Sequence, residues 1–354
     1  MNVVYTRMDR SAPVVLVCHD SMLGPWLKIA SDQLREAGCR VVDMHATIDL
    51  KADRGGVEWI TALPTADAVI VTNRVALRAE ELRVGNRLRG VVYPTIGTDS
   101  IDLEVATDLG IPVAHGPTPQ NFLSMAESTV MLILALLYDL QGTKDALRLN
   151  LPRPTRFRAT MLAGKTIGLI GYGRIAMAVA QRLGAWGTRL LAYSPRANSD
   201  SVGSDHQVEF VELETLLEES DIVSVHTTLT PATWHLLDAR RLAQMKQSAF
   251  LVNTSRGAIV DEAALYCALS TGKLAGAALD TFEQEPLPSD SPLRTLGNAI
   301  LTPHMVGHTQ EIFDAIPKVV FENTMRLLCG EEPLYLRNPQ VQPAWRRRLA
   351  TLSS

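Results

Sequence analysis

Three polar clusters in the second half of the chain hold side chains able to move a proton and grip an anion. They are Asn253-Thr254-Ser255-Arg256-Gly257, Asp280-Thr281-Phe282-Glu283-Gln284-Glu285-Pro286 and Thr302-Pro303-His304. Each follows a short apolar run that reads as a buried strand. Open α/β sheets bind ligands at the C-terminal ends of their strands. A guanidinium, a carboxylate and an imidazole delivered there together form an acid/base unit, with Arg256, Glu285 and His304 as its members.

A fourth cluster points to a dinucleotide. Gly171-Tyr172-Gly173-Arg174-Ile175-Ala176 matches G-x-G-x-x-G/A, directly after the apolar run Thr166–Ile170 and at the start of a helical pattern. Gly171 permits the tight turn. Gly173 lets a pyrophosphate approach the backbone, and the small Ala176 lets helix and strand pack closely. The helix N-terminus at Arg174 and Ile175 offers free N–H groups and partial positive charge to phosphate. After the next strand the ribose-reading position holds Ser194, not a carboxylate, and Arg196 follows. An Asp or Glu would take the ribose 2′-hydroxyl of NAD, whereas Arg196 can pair with a 2′-phosphate. The sequence therefore permits either cofactor, NAD(P), and tilts towards NADP.

These clusters sit in a chain of 354 residues, long enough for two domains. A net charge of −4 argues against a nucleic-acid grip through phosphate contacts. The four cysteines Cys18, Cys39, Cys267 and Cys329 have no metal-ligand or disulfide-framework spacing, so no metal is expected and a reducing cytoplasm is the expected compartment. Val14–Cys18 is too short for a signal peptide core, and Val130–Leu137 falls short of the ~20 residues that span a bilayer.

The elements that must position the clusters alternate between strand and helix. Strands are predicted at Val14–Cys18, Val41–Val42, Val69–Val71, Val91–Tyr93 and Pro112–Ala114, with helices over Trp26–Ala37 and Ile101–Leu109. A long helix, about Phe122–Leu140, is apolar on most sides and should be buried on most sides. Asn150–Thr160 reads as an exposed connection. A second alternation starts at Thr166, with strands at Thr166–Ile170, Arg189–Tyr193, Ile222–Val225, Ala249–Val252, Ala275–Leu279 and Ala299–Leu301, and helices over Ile175–Leu183, Glu262–Leu269 and Gln310–Leu328. The pattern is α/β, with two doubly wound parallel-sheet halves. Arg346-Arg347-Arg348 reads as a solvated face or a frayed end.

Over about residues 70 to 330 the chain resembles the D-isomer-specific 2-hydroxyacid dehydrogenases, through GYGRIA, VNTSRGAIVDEAAL, GAALDTFEQEPLP and LTPH in that order. The resemblance implies a Rossmann coenzyme domain, about 119–306, inserted into a flavodoxin-like substrate domain made of 1–118 and 307–354. The helices near 122–140 and 310–328 would make the two crossings. It implies that His304 exchanges a proton with the substrate oxygen, and that Glu285 orients the ring and raises its pKa. Arg256 would hold the carboxylate and carbonyl of a 2-oxo acid. The backbone of Ile96-Gly97 would also meet that carboxylate. Thr227, Thr254, Ser255 and Asp280 would line the cofactor together with the glycine loop, Ser194 and His304. The family is usually dimeric, so a homodimer is expected, with a small 2-oxo or 2-hydroxy acid as substrate.

Departures from the family pattern are Thr95, Phe122, Thr228 and Ser194. The first three bear on substrate identity and the last on the cofactor. Glyoxylate or hydroxypyruvate reduction is the activity expected. Two other readings stand beside it. A formate dehydrogenase of the same fold would carry Gln where Glu285 stands. A dinucleotide-sensing regulatory protein could keep all three residues yet turn over no 2-oxo acid. The other histidines, His19, His45, His115, His206, His226, His235 and His308, read as structural, with His308 the one to watch because it lies four residues past His304.

Overall fold

The structure is a computed structural model that describes residues 12–45, 61–153, 158–195 and 208–353. The chain divides into two compact units, one formed by residues 1–120 and 309–354 and the other by 121–308.

In the first unit five strands lie parallel. They are β1 (Val14–His19), β2 (Arg40–His45), β3 (Ala68–Ile70), β4 (Gly90–Val92) and β5 (Val113–Ala114), in the order β2-β1-β3-β4-β5. That is the order of flavodoxin-like doubly wound sheets. The middle strands are buried on both faces, which is why they read as continuous apolar runs instead of alternating ones. The helices Gly24–Glu36 and Gln310–Leu328 cover one face, with the Trp26 and Phe313 rings stacked 4.5 Å apart.

Arg346-Arg347-Arg348 lie in a helix, Gln342–Ser353, and not in a frayed end; Arg346 and Arg347 are exposed as on a solvated face, whereas Arg348 is not. Trp345 is buried and its Nε1 donates to the Arg89 carbonyl at 3.1 Å. The Arg348 guanidinium donates to the carbonyls of Leu88 (2.7 Å), Gly85 (2.6 Å) and Leu109 (3.2 Å). Gly85 and Leu109 follow the last residues of two short helices, Ala79–Val84 and Leu103–Asp108, where unpaired carbonyls attract a cation.

The second unit holds seven parallel strands. They are β6 (Thr166–Ile170), β7 (Arg189–Tyr193), β8 (Val208–Phe210), β9 (Ile222–Val225), β10 (Phe250–Asn253), β11 (Gly276–Leu279) and β12 (Ala299–Leu301). Their order is β12-β11-β10-β9-β6-β7-β8, so the winding reverses between β6 and β9. This is the Rossmann order extended by one strand, and ligands bind where the winding reverses. Two apolar clusters fill the unit. One lies around Leu216, Leu251 and Leu265, the other around Ile133, Leu169 and Val179.

The expected helix over 122–140 is two helices, Pro119–Leu137 and Leu140–Arg148, separated at Asp139 by a left-handed backbone (φ 47°). Nor is it buried on most sides, since Leu123 and Met131 are about half exposed. Pro119–Leu137 is long and apolar enough to cross a membrane by length and composition alone; in this fold Leu132, Ile133 and Leu137 join the core of the second unit. Gln310–Leu328 begins past the division at residue 308 and lies wholly in the first unit, so it is not a crossing. The short strand β8 and the helix Leu213–Glu219 were not anticipated.

Candidate active site

The C-terminal ends of β6 and β9 meet at the point of reversal. Gly171 has φ 91°, and a side chain there would lie 2.7 Å from the Thr227 nitrogen and 2.8 Å from the His226 carbonyl carbon. Only glycine fits both the angle and the approach. Gly173 differs: a Cβ there would meet no atom within 4 Å. The space above this glycine, at the N-terminus of the helix Arg174–Gly184, is open for a phosphate to reach the backbone. Ala176 is fully buried against the sheet, as close helix packing requires. The residues present therefore fit a dinucleotide. Ile175 packs on the same core. The Arg174 guanidinium lies over the Phe122 ring, 5.1 Å from its centroid, a cation–π contact. Ser194 is half-buried just past β7, whereas Arg196 and His206 lie outside the described residues.

At the end of β10, buried Asn253 shapes the loop that carries Arg256. Its Oδ1 accepts from the Ser255 N–H at 3.0 Å and its Nδ2 donates to the Arg256 carbonyl at 2.9 Å. Ser255 Oγ donates to the Thr227 carbonyl, tying this loop to the end of β9. Thr254 Oγ1 lies 3.4 Å from Thr129 Oγ1 on the helix Pro119–Leu137. Arg256 is half-buried and its guanidinium donates to the Ser255 carbonyl at 2.8 Å. The neighbouring Gly257 is pressed on the next loop, where a Cβ would fall 1.9 Å from the Phe282 carbonyl carbon.

Asp280, at the end of β11, is 2% exposed and organises the third loop. Its Oδ1 accepts from Thr302 Oγ1 (2.7 Å) and from the N–H groups of Met305 (2.9 Å) and Val306 (3.1 Å). The turn so gathered holds His304 in a left-handed backbone, φ 56°. Ser124 and Ser128 pin the same turn from the helix Pro119–Leu137, donating to the carbonyls of Gly307 and Val306 at 2.7 Å each. Glu285 Oε1 accepts from the Phe282 N–H at 3.1 Å, which orients its carboxylate. His304 Nδ1 then donates to Glu285 Oε2 at 2.8 Å. The carboxylate can only accept, so Nδ1 carries the proton and Nε2 is the nitrogen left for chemistry.

The His304 side chain is 44% exposed, open to a reactant. His308 sits near enough to Asp280 and His304 to feel both, and burial is the main cause that lowers its pKa. His226, whose Nε2 lies 2.9 Å from Ser224 Oγ, is pushed down to about 4 by burial and stays neutral.

The second unit thus brings together the glycine loop, Thr227, Thr254, Ser255, Arg256, Asp280, Glu285 and His304 at one edge of its sheet. Ile96 and Gly97 lie in the first unit, on the loop after β4, where the Ile96 carbonyl pairs with His115 Nδ1 at 3.0 Å. Sequence reasoning missed Ser124, Ser128 and Asn253 as positioning groups. Asn253 stood in a quoted motif, but the serines gave no signal because their partners lie 183 and 178 residues away.

Residues 130–306 match the family described as D-isomer specific 2-hydroxyacid dehydrogenase, NAD binding domain. A glyoxylate reductase of Thermofilum pendens is 38% identical over 307 residues, which cover 86% of this chain and 90% of the relative. A D-3-phosphoglycerate dehydrogenase of Methanocaldococcus jannaschii is 33% identical over 304 residues, 86% of this chain but 57% of that protein. The crystal structure of the TT0316 protein from Thermus thermophilus superposes with a TM-score of 0.78 at 34% identity, covering 91% of this chain and 99% of that one. With the strand order, the glycine loop and the strand-end loops all in agreement, the chain belongs to the D-isomer-specific 2-hydroxyacid dehydrogenase family and is a nicotinamide-dependent oxidoreductase.

Proposed function

We propose that the protein reduces a small 2-oxo acid of the glyoxylate or hydroxypyruvate type to its D-2-hydroxy acid, with His304 as the acid. The observation that carries this reading is the 2.8 Å hydrogen bond between His304 Nδ1 and Glu285 Oε2. It fixes the tautomer, leaving Nε2 to give its proton to the substrate oxygen. The carboxylate also stabilises the imidazolium that must be present before transfer. Arg256 takes the substrate carboxylate in its planar donor fork and stabilises charge growing on the carbonyl oxygen. The backbone of Ile96-Gly97 is assigned to the same carboxylate. Bound NAD(P)H supplies the hydride to the carbonyl carbon. Gly171, Gly173, Arg174, Ile175, Thr227, Thr254, Ser255 and Asp280 are assigned to holding that cofactor.

A glyoxylate reductase among the relatives supports the substrate class. Ser194 in place of a carboxylate supports use of NADPH. Glu285 speaks against formate oxidation, which releases no alcohol proton. A homodimer is supported by the apolar exposed side chains Leu123, Met131, Leu140 and Leu147 on two consecutive helices and Tyr138 in the turn between them.

The test is a panel of 2-oxo acids with NADH and NADPH in parallel, on the wild type and on His304→Ala and Arg256→Ala. Each variant should lose about a hundredfold or more in kcat while dinucleotide binding survives. Wild-type turnover in His304→Ala would refute the acid assignment. A wild type that binds dinucleotide yet reduces no 2-oxo acid would leave the regulatory reading in its place.

A further inference from the structure

Glu285 does not stand alone on its loop. The residue two before it, Glu283, is tied down from two directions. Its Oε1 accepts from the Glu262 N–H at 3.0 Å, and its own N–H donates to Glu262 Oε1, a reciprocal pair across the start of the helix Glu262–Ser270. The same Oε1 lies 3.0 Å from His235 Nε2. His235 arrives from a turn after β9, has φ 45°, and donates its N–H to the Ala258 carbonyl at 2.8 Å. The Trp234 ring stacks on the imidazole at 4.7 Å, and Asp261 Oδ2 lies 4.0 Å from its Nδ1. Ala258 follows Gly257, whose Cα is pressed on the Phe282–Glu283 peptide. His235 therefore touches the loop that carries Glu285 through its ring and the segment that follows Arg256 through its backbone N–H.

We propose that His235 is a positioning residue: through Glu283 it fixes the 282–285 turn and so holds the Glu285 carboxylate on His304. This rests on the acid role given to His304 above. Acidic groups crowd the turn, and that is why a clamp is needed. Asp261, Glu262, Glu283 and Glu285 gather there, and burial together with repulsion from Glu283 and Glu285 raises the Glu262 pKa. His235 is the cation partner that Glu283 meets when the imidazole is protonated. Without it Glu283 keeps only its tie to Glu262, and the 282–285 turn shifts away from its acidic neighbours. His304 then keeps Asp280 and His308 nearby but loses its aligned carboxylate.

The experiment measures kcat for glyoxylate reduction against pH in the full-length enzyme, for wild type, His235→Gly, His235→Gln, Glu283→Gln and Glu285→Gln. Glycine suits the left-handed backbone at this position, so His235→Gly removes the ring without straining the turn. The proton donor must be protonated, so kcat falls as pH rises through its apparent pKa. Loss of an aligned carboxylate moves that fall to lower pH.

His235→Gly and Glu283→Gln should move the alkaline limb in the same direction as Glu285→Gln, by about half a pH unit, and lower kcat roughly three- to tenfold with little change in KM. Gln keeps a donor at the Nε2 position, so His235→Gln should return most of the shift. A His235→Gly enzyme with the wild-type limb, while Glu285→Gln is displaced, overturns the positioning role alone. A Glu285→Gln enzyme with the wild-type limb overturns the acid reading and this proposal with it.

Discussion

At the scale of single residues the chemistry depends on which groups hold a charge. His226 is the clearest case, because burial pushes its pKa from 6.5 down to about 4. In the unfolded chain it takes up a proton near 6.5, whereas in the fold it does so only near 4. The unfolded state thus binds more protons between those values, and stability is lost as pH falls through that window. His226→Gln should flatten the decline in Tm between pH 6.5 and about 4 relative to wild type, read by circular dichroism melts. Parallel Tm profiles would sink that account. The peptide after His226 is the one that touches Gly171, so the same titration bears on the glycine loop.

The residues proposed to carry the chemistry stood out in the sequence, because Arg256, Glu285 and His304 each follow an apolar strand within a few positions. The groups that aim them did not. Ser124 and Ser128 act from a helix on a loop about 180 residues away, and no local pattern announces such a pairing. Arg348 misled for the same reason: a run of three arginines looks solvated until its carbonyl partners, more than 230 residues away, are known.

At the scale of elements, strand positions were read well because buried parallel strands are short apolar runs between turns. The break at Asp139 was missed because Leu137-Tyr138-Asp139-Leu140 contains no Pro or Gly to mark it. The helix Leu213–Glu219 was overlooked, although Leu213, Leu216 and Leu217 fall at helical spacing and are buried. The glycine loop offers a contrast between its two leading positions. Gly171→Ala forces a Cβ on backbone at a left-handed angle and should destabilise the fold by about 1–3 kcal/mol. Gly173→Ala places its methyl in open space at φ −94° and should leave Tm unchanged, yet weaken dinucleotide binding by roughly tenfold or more. Thermal melts and titration calorimetry with NADPH separate the two. A drop in Tm without a binding defect in Gly173→Ala would contradict the phosphate assignment.

At the scale of the molecule, each unit builds its own core around a parallel sheet, and the helices Pro119–Leu137 and Leu140–Arg148 carry four exposed large apolar side chains, Leu123, Met131, Leu140 and Leu147. Leu147, at 86% exposure, is the most open large apolar side chain among the described residues. If a second copy covers this face, Leu147→Glu should convert a dimer into a monomer in light-scattering chromatography, with the fold of each unit retained. An unchanged mass would place the dimer contact elsewhere.

The left-handed turn at His304 sets steric strain against backbone freedom. A residue with a Cβ sits there at a steric cost of about 1 kcal/mol, held by the Asp280 carboxylate, a cost that glycine would exchange for a larger loss of backbone freedom. The His304→Gly enzyme relieves that strain but gives up the bond to Glu285 and gains unfolded-chain entropy, so its melting temperature should stay close to that of the wild type while the proposed proton donor is gone.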